Sequence, residues 1–183
     1  MRLIRLIAIS LLLSSFPFAH FQVIGALPTP LPDFSGTWKV DLDLSTPKAT
    51  SDLDDLTFVI SHNPPELHVK RIIKEKKHKE RVSELTYLTN GRGEKVSLLS
   101  GGGSWDSTTN WINDTIVCKF TVTDYISATN DFYHIDYKET WALSQHGNTL
   151  TITTEKTVRN VQDFYRNIYK DETYRRVFHR AIS

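Results

Sequence analysis

Residues 115–122 read TIVCKFTV, residues 133–143 read YHIDYKETWAL, and residues 149–152 read TLTI. In the first, Ile116, Cys118, Phe120 and Val122 recur at every second position. In the second, Tyr133, Ile135, Tyr137, Trp141 and Leu143 do the same, and Leu150 and Ile152 continue the pattern. A repeat of two is the period at which an extended chain returns its side chains to one face, so these runs predict strands. Gln145 to Asn148 contains Gly147 and predicts the turn between two of them.

Working outward from this block, the same alternation appears at Trp38, Val40 and Leu42, then at Leu56, Phe58 and Ile60, and again at Leu67, Val69, Arg71 and Ile73. Asn63-Pro64-Pro65-Glu66 separates two of these runs, and two prolines cannot donate to a sheet ladder. A polar loop is expected from Ser45 to Asp55. A further run ends at Tyr87-Leu88, Asn90-Gly91 marks a tight hairpin, Val96 and Leu98 form a short strand, and Gly101-Gly102-Gly103 stops it. Asn113-Asp114 turns the chain again, and Tyr174 to His179 predicts a closing strand. Val158, Val161, Tyr165 and Ile168 have helical spacing, so one short helix is expected between residues 158 and 169. Strands joined by tight turns with no βαβ alternation predict an all-β fold, an antiparallel up-and-down barrel of about eight strands. Closure also removes the exposed edges that invite aggregation.

The N-terminus predicts export. Arg2 and Arg5 precede an apolar stretch from Leu6 to Phe18, shorter than the roughly 20 residues of a membrane span. Cleavage is expected after Ala26, giving a signal peptide over 1–26, a Pro-rich leader over 27–32 and one domain over 33–183, secreted or periplasmic. The signal removes two of the 22 basic residues and none of the 21 acidic ones. The near-neutral remainder offers no whole-molecule attraction to nucleic acid. Cys118 is the only cysteine, so no intramolecular disulfide can form.

Phe34-Ser35-Gly36-Thr37-Trp38-Lys39 resembles the opening of lipocalin-like (calycin-type) barrels, whose first strand begins Gly-x-Trp. Trp141-Ala142-Leu143-Ser144 followed by Gly147-Asn148-Thr149-Leu150-Thr151-Ile152 looks like the late hairpin of a group of small secreted bacterial proteins of unclear function. The resemblance spans about Asp33 to Arg180 and is distinctive at its two ends. It implies a barrel in which Trp38 closes one end, with an arginine from the last strand packed across it; Arg175, Arg176 and Arg180 all lie in the right region. It also implies a small apolar or amphipathic ligand. The expected helix precedes the last strand, where lipocalins place one after it, so a simpler barrel relative is the better match.

Two charges fall on faces that otherwise point inward: Arg71 between Val69 and Ile73, and Glu139 between Tyr137 and Trp141. A lone buried charge costs several kcal/mol, so each must be paired, hydrated or used. One reading is a structural ion pair. The other is a polar anchor in an apolar cavity lined by Tyr87, Phe120, Tyr133, Tyr137 and Trp141. Aromatic residues at alternate strand positions also serve as plain core.

Other chemistry finds little support. His134 and Asp136 share a strand face but lack a third metal ligand at informative spacing. No Gly-x-Ser-x-Gly elbow is present, and Gly101 to Ser104 lacks the lysine of a phosphate loop. The basic run from Lys70 to Arg81 contains no aromatic residue for base stacking and reads as a solvated hairpin. No catalytic residue, metal or cofactor is expected. Two functions compete: an exported barrel that binds a small ligand, and a structural or surface-interaction domain with a filled core. An enzyme ranks behind both.

Overall fold

The computed structural model describes residues 30–47, 53–97, 104–126, 131–161 and 170–181. The chain divides into Met1–Pro30 and Leu31–Ser183, and the strands all belong to the second unit. The expected signal peptide, the leader as far as residue 29 and the glycine turn at 101–103 lie outside the described residues.

The alternating runs form ten strands: β1 (Gly36–Thr46), β2 (Leu53–Asn63), β3 (Glu66–Glu75), β4 (Arg81–Leu88), β5 (Glu94–Ser97), β6 (Ser104–Ile112), β7 (Thr115–Ile126), β8 (Asp131–Leu143), β9 (Thr149–Arg159) and β10 (Glu172–Arg180). They make one antiparallel sheet in the order β4-β3-β2-β1-β10-β9-β8-β7-β6-β5. Every neighbour is a sequence neighbour except β1 and β10, whose pairing joins the two ends of the domain. The two edges, β4 and β5, are consecutive in the chain. Asn90 bridges to Asn110, and the Gly91 amide donates to the Thr109 carbonyl at 2.9 Å, so the barrel is nearly closed.

The expected count of about eight strands is corrected to ten. The strand missed outright is β6, where polar Asp106, Ser107, Thr108, Thr109 and Asn110 hide the period. Register places Ser107 opposite Phe120, Thr109 opposite Cys118 and Trp111 opposite Ile116, so these residues face inward despite their polarity. The reason is Glu94. Its carboxylate accepts hydrogen bonds from the Ser107 hydroxyl, from the Thr109 hydroxyl at 2.8 Å and from the Leu88 amide at 3.1 Å. These bonds tie β4, β5 and β6 together where the ladder is thinnest, and a half-buried carboxylate is stabilised by such donors.

The expected helix falls mostly outside the described residues, and its first residues are strand. No helix occurs among the described residues; Val158 and Arg159 end β9, paired with Ile135 and His134. Residues 162–169 of that stretch lie outside the described residues. The loop expected over Ser45 to Asp55 is shorter, because β1 runs to Thr46 and β2 starts at Leu53. Ser45 is fully buried, donating to the Asp41 carbonyl at 2.6 Å and accepting from the Val177 amide at 3.2 Å, which accommodates the register shift between β1 and β10. No helix among the described residues is long and apolar enough to cross a membrane.

One end of the barrel is plugged by Trp38, which is fully buried. Its indole N–H donates to the Phe34 carbonyl at 2.9 Å. The Arg180 guanidinium carbon sits 4.4 Å from the Trp38 ring centroid. Arg180 also donates to the carbonyls of Gly147 at 3.0 Å and Ser35 at 2.5 Å. Gly36, at φ +135°, makes room for it: a Cβ there would meet the guanidinium nitrogen at 2.8 Å. Above the plug, Phe58, Ile60, Leu67, Val69, Leu85, Trp141, Leu150 and Phe178 form one continuous core.

Truncating a large buried aromatic removes both transfer energy and packing. Trp38→Ala is expected to lower unfolding stability by roughly 3–5 kcal/mol. A urea denaturation midpoint unchanged by the substitution would show that Trp38 is not a core residue.

Candidate functional site

Strand parity carries two arginines and a carboxylate into the interior. Phe58 on β2 lies opposite Arg71 on β3, and Leu56 lies opposite Ile73. Glu139 on β8 lies opposite Thr154 on β9, and Ile152 on β9 lies opposite Arg176 on β10. Together with Phe178 these residues line a cavity of about 180 Å³. Its walls come from β2 and β3 on one side and β8, β9 and β10 on the other.

The three charges have unequal partners. The Arg71 guanidinium carbon lies 5.4 Å from the Phe58 ring centroid. Its Nε is buried and makes no hydrogen bond. A buried donor without an acceptor is costly. His62, Trp105 and Trp111 also carry such an atom, but among these residues only Arg71 lines the cavity. Glu139 accepts from the Trp141 indole N–H at 3.1 Å. No ion pair within 4.0 Å joins Arg71 to Glu139, so the simple structural pair that would explain both is not formed. Arg176 donates to the carbonyls of Thr46 and Pro47, both at 3.1 Å, and lies over the Tyr174 ring. Burial draws the Arg176 pKa below its ordinary value.

Of the residues singled out in the sequence, Arg71 and Glu139 border this cavity. Tyr87 and Trp141 are almost wholly buried and pack edge to face, centroids 6.1 Å apart, in the core beside it. Burial pushes the Tyr87 phenol well above its ordinary pKa; the Glu139 charge adds to this and the Arg71 charge opposes it. Phe120 and Tyr137 do not line this cavity but border a second, larger hollow. They stack on each other at 4.9 Å, and Trp105 stacks on Phe120 at 5.3 Å. Tyr133 belongs to a separate small cluster with Ile135 and Val161.

Sequence reasoning missed Arg176 as a cavity residue, as well as Phe58 and Phe178. The signal was present: Arg176 stands between Tyr174 and Phe178 at the same period that exposed Arg71 between Val69 and Ile73. The remaining inward charges are already partnered. Lys156 meets Glu172 at 3.1 Å, and the Tyr174 hydroxyl donates to the same carboxylate. Burial, followed by that hydrogen bond, pushes the Tyr174 phenol up to about 12.

A larger hollow of about 470 Å³ runs along β6 to β9, lined by Phe120 and Tyr137 together with polar residues such as Asp106, Lys119, Asp136 and Lys138. Its groups largely satisfy one another: Lys138 meets Glu155 at 2.8 Å, and Asp136 accepts from Thr121 and Arg159. His134, half of the pair considered for a metal, hydrogen-bonds Thr123 at 2.9 Å. No group of three or more His, Cys, Asp or Glu able to hold a metal occurs among the described residues. No protein-family model matches this chain, and no curated protein matches its sequence.

Cys118 faces the same interior, and burial pushes its thiol up to about 12, with the Thr109 and Ser107 hydroxyls opposing. The thiolate is the reactive form, so the native protein at pH 8 is expected to resist a disulfide-exchange reagent such as DTNB and to react stoichiometrically once unfolded in urea. Rapid labelling of the folded protein would contradict this burial.

Proposed function

We propose that this chain is an exported binding module that holds a small amphipathic molecule inside its barrel. The observation that supports this best is the cavity itself: apolar Leu56, Phe58, Ile73, Ile152 and Phe178 on its walls, with Arg71, Arg176 and Glu139 as its polar groups. Ligand sites have this composition, an apolar wall contributing affinity by desolvation and a few polar groups setting orientation. At about 180 Å³ the volume falls below the roughly 300–1,000 Å³ of pockets for drug-sized molecules, so the expected ligand is only a few heavy atoms long.

Export is part of the same proposal and rests on the N-terminal sequence, Arg2 and Arg5 followed by Leu6 to Phe18. A second reading, a filled barrel that acts through its surface, is favoured by the burial of Tyr87 and Trp141 in the middle of the interior. The two readings part on a single measurement. Six-carbon probes are expected to shift the backbone amide resonances of cavity residues in a saturable titration. Ile73→Phe, which adds volume to the cavity wall, is expected to weaken that binding at least tenfold while leaving the circular dichroism spectrum unchanged. Absence of saturable shifts with every probe would overturn the ligand reading in favour of the surface-acting one.

A further inference from the structure

The charges around the cavity do not balance, and the imbalance carries information about the ligand. Arg71 and Arg176 bring two positive charges, and Glu139 brings one negative. The nearby acids are committed elsewhere, Glu94 to three donors at the β4–β5 seam and Glu172 to Lys156 and Tyr174. Arg176 directs its hydrogen bonds to main-chain carbonyls, which satisfy donors without cancelling the charge. Among the described residues, Arg71 has neither a carboxylate partner nor an acceptor for its buried Nε–H. An apolar-walled cavity with one uncompensated positive charge and one free donor favours a monoanion, since a half-buried guanidinium and its buried, unpartnered Nε–H both gain from an acceptor of opposite charge.

Resting on the reading of the barrel as a ligand carrier, we propose that the cavity is a site for a short-chain organic acid whose carboxylate accepts from the Arg71 guanidinium. The hydrocarbon part then lies against Leu56, Phe58, Ile73, Ile152 and Phe178. Arg176 adds attraction, its Nη1 remaining with the Thr46 and Pro47 carbonyls. Glu139 repels the carboxylate, so the acid group settles on the Arg71 side of the cavity. A single carboxylate matches the imbalance; a phosphate monoester, with a charge of about −1.5 to −2 at neutral pH, overshoots it. Arg–carboxylate contacts are short and frequently bidentate, and the unpartnered Nε–H is one of the donors such a contact uses.

The test titrates the full mature protein, at neutral pH and low salt, with hexanoate, 1-hexanol and hexylamine, followed by amide chemical shifts. These probes share their chain and differ in their head. Hexanoate is expected to bind about tenfold or more tighter than hexanol, the gain of a hydrogen bond to a charged group. Arg71→Gln is expected to abolish that preference while still binding hexanol. Glu139→Gln is expected to tighten hexanoate further, and it serves as the second variant should Arg71→Gln fail to fold. Equal affinity for hexanoate and hexanol overturns the acid assignment and leaves the ligand-carrier reading standing. Preference for hexylamine also overturns it, because Glu139 would then dominate. Binding of none of the three overturns both.

Discussion

The pairing of the first strand with the last governs this structure. β1 and β10 are more than a hundred residues apart in sequence, and their ladder converts a linear meander into a barrel. The contact is reinforced at its end by Arg180, which covers Trp38 and binds the chain on either side of it through Ser35 and Gly147. A guanidinium over an indole contributes modestly at an exposed site and more when desolvated, and here the indole is fully buried. Once this seam is made, every later strand inherits its inward face by alternation. Trp38 opposite Phe58, and Val40 opposite Phe178, set the parity for both halves of the sheet.

A closed sheet of this kind has a consequence for polar residues. A charged side chain on the inward parity is partly withdrawn from water, so it gains from partners at other inward positions or on the backbone. Most inward polar groups meet that requirement: Glu94 with Ser107 and Thr109, Ser45 with Asp41 and Val177, Glu172 with Lys156 and Tyr174. Each of these also joins strands, so its stabilising role is evident. Arg71 differs. It stacks near Phe58, leaves its Nε–H without an acceptor and borders a void instead of a carboxylate. A charged site that breaks a rule obeyed by its neighbours is where function is most economically sought.

Much of the fold was legible in the sequence because most strands alternate cleanly between apolar and polar residues. Trp38 as the plug followed from Gly36-Thr37-Trp38, and Arg71 and Glu139 stood out as charges on apolar faces. The failures share one physical cause. β6 is hidden because its inward Ser107 and Thr109 are polar, selected to serve the Glu94 carboxylate on another strand, and no local pattern reports such a partner. Phe120 and Tyr137 part from Arg71 and Glu139 for a related reason. Parity correctly places Phe120 and Tyr137 on the same face as Trp141, but parity does not give height along the barrel axis. Stacked with Trp105, Phe120 and Tyr137 border the larger hollow along β6 to β9, and a separate void opens where Phe58, Ile152 and Phe178 meet the two arginines.

The relation between the plug and the cavity explains why one barrel can hold both a rigid core and a void. Next to Trp38 the interior is filled by Phe58, Phe178 and Trp141, with the Phe58 and Phe178 rings 4.8 Å apart and those of Phe58 and Trp141 6.0 Å apart. Two residues further along each strand the inward side chains change character, from Phe58 to Leu56, from Val69 to Arg71, from Trp141 to Glu139 and from Phe178 to Arg176. On β2, β8 and β10 a large ring gives way to a branched aliphatic or a long charged chain, and on β3 Val69 gives way to Arg71, which the register sets opposite Phe58. Rings that pack edge and face fill space to crystal-like density, whereas like-charged guanidinium groups repel and hold their stems apart. The void therefore lies where the inward series passes from rings to charge: Phe58, Phe178 and Trp141 supply the packing on one side of it, and Arg71, Glu139 and Arg176 trade packing for charge that is not internally matched.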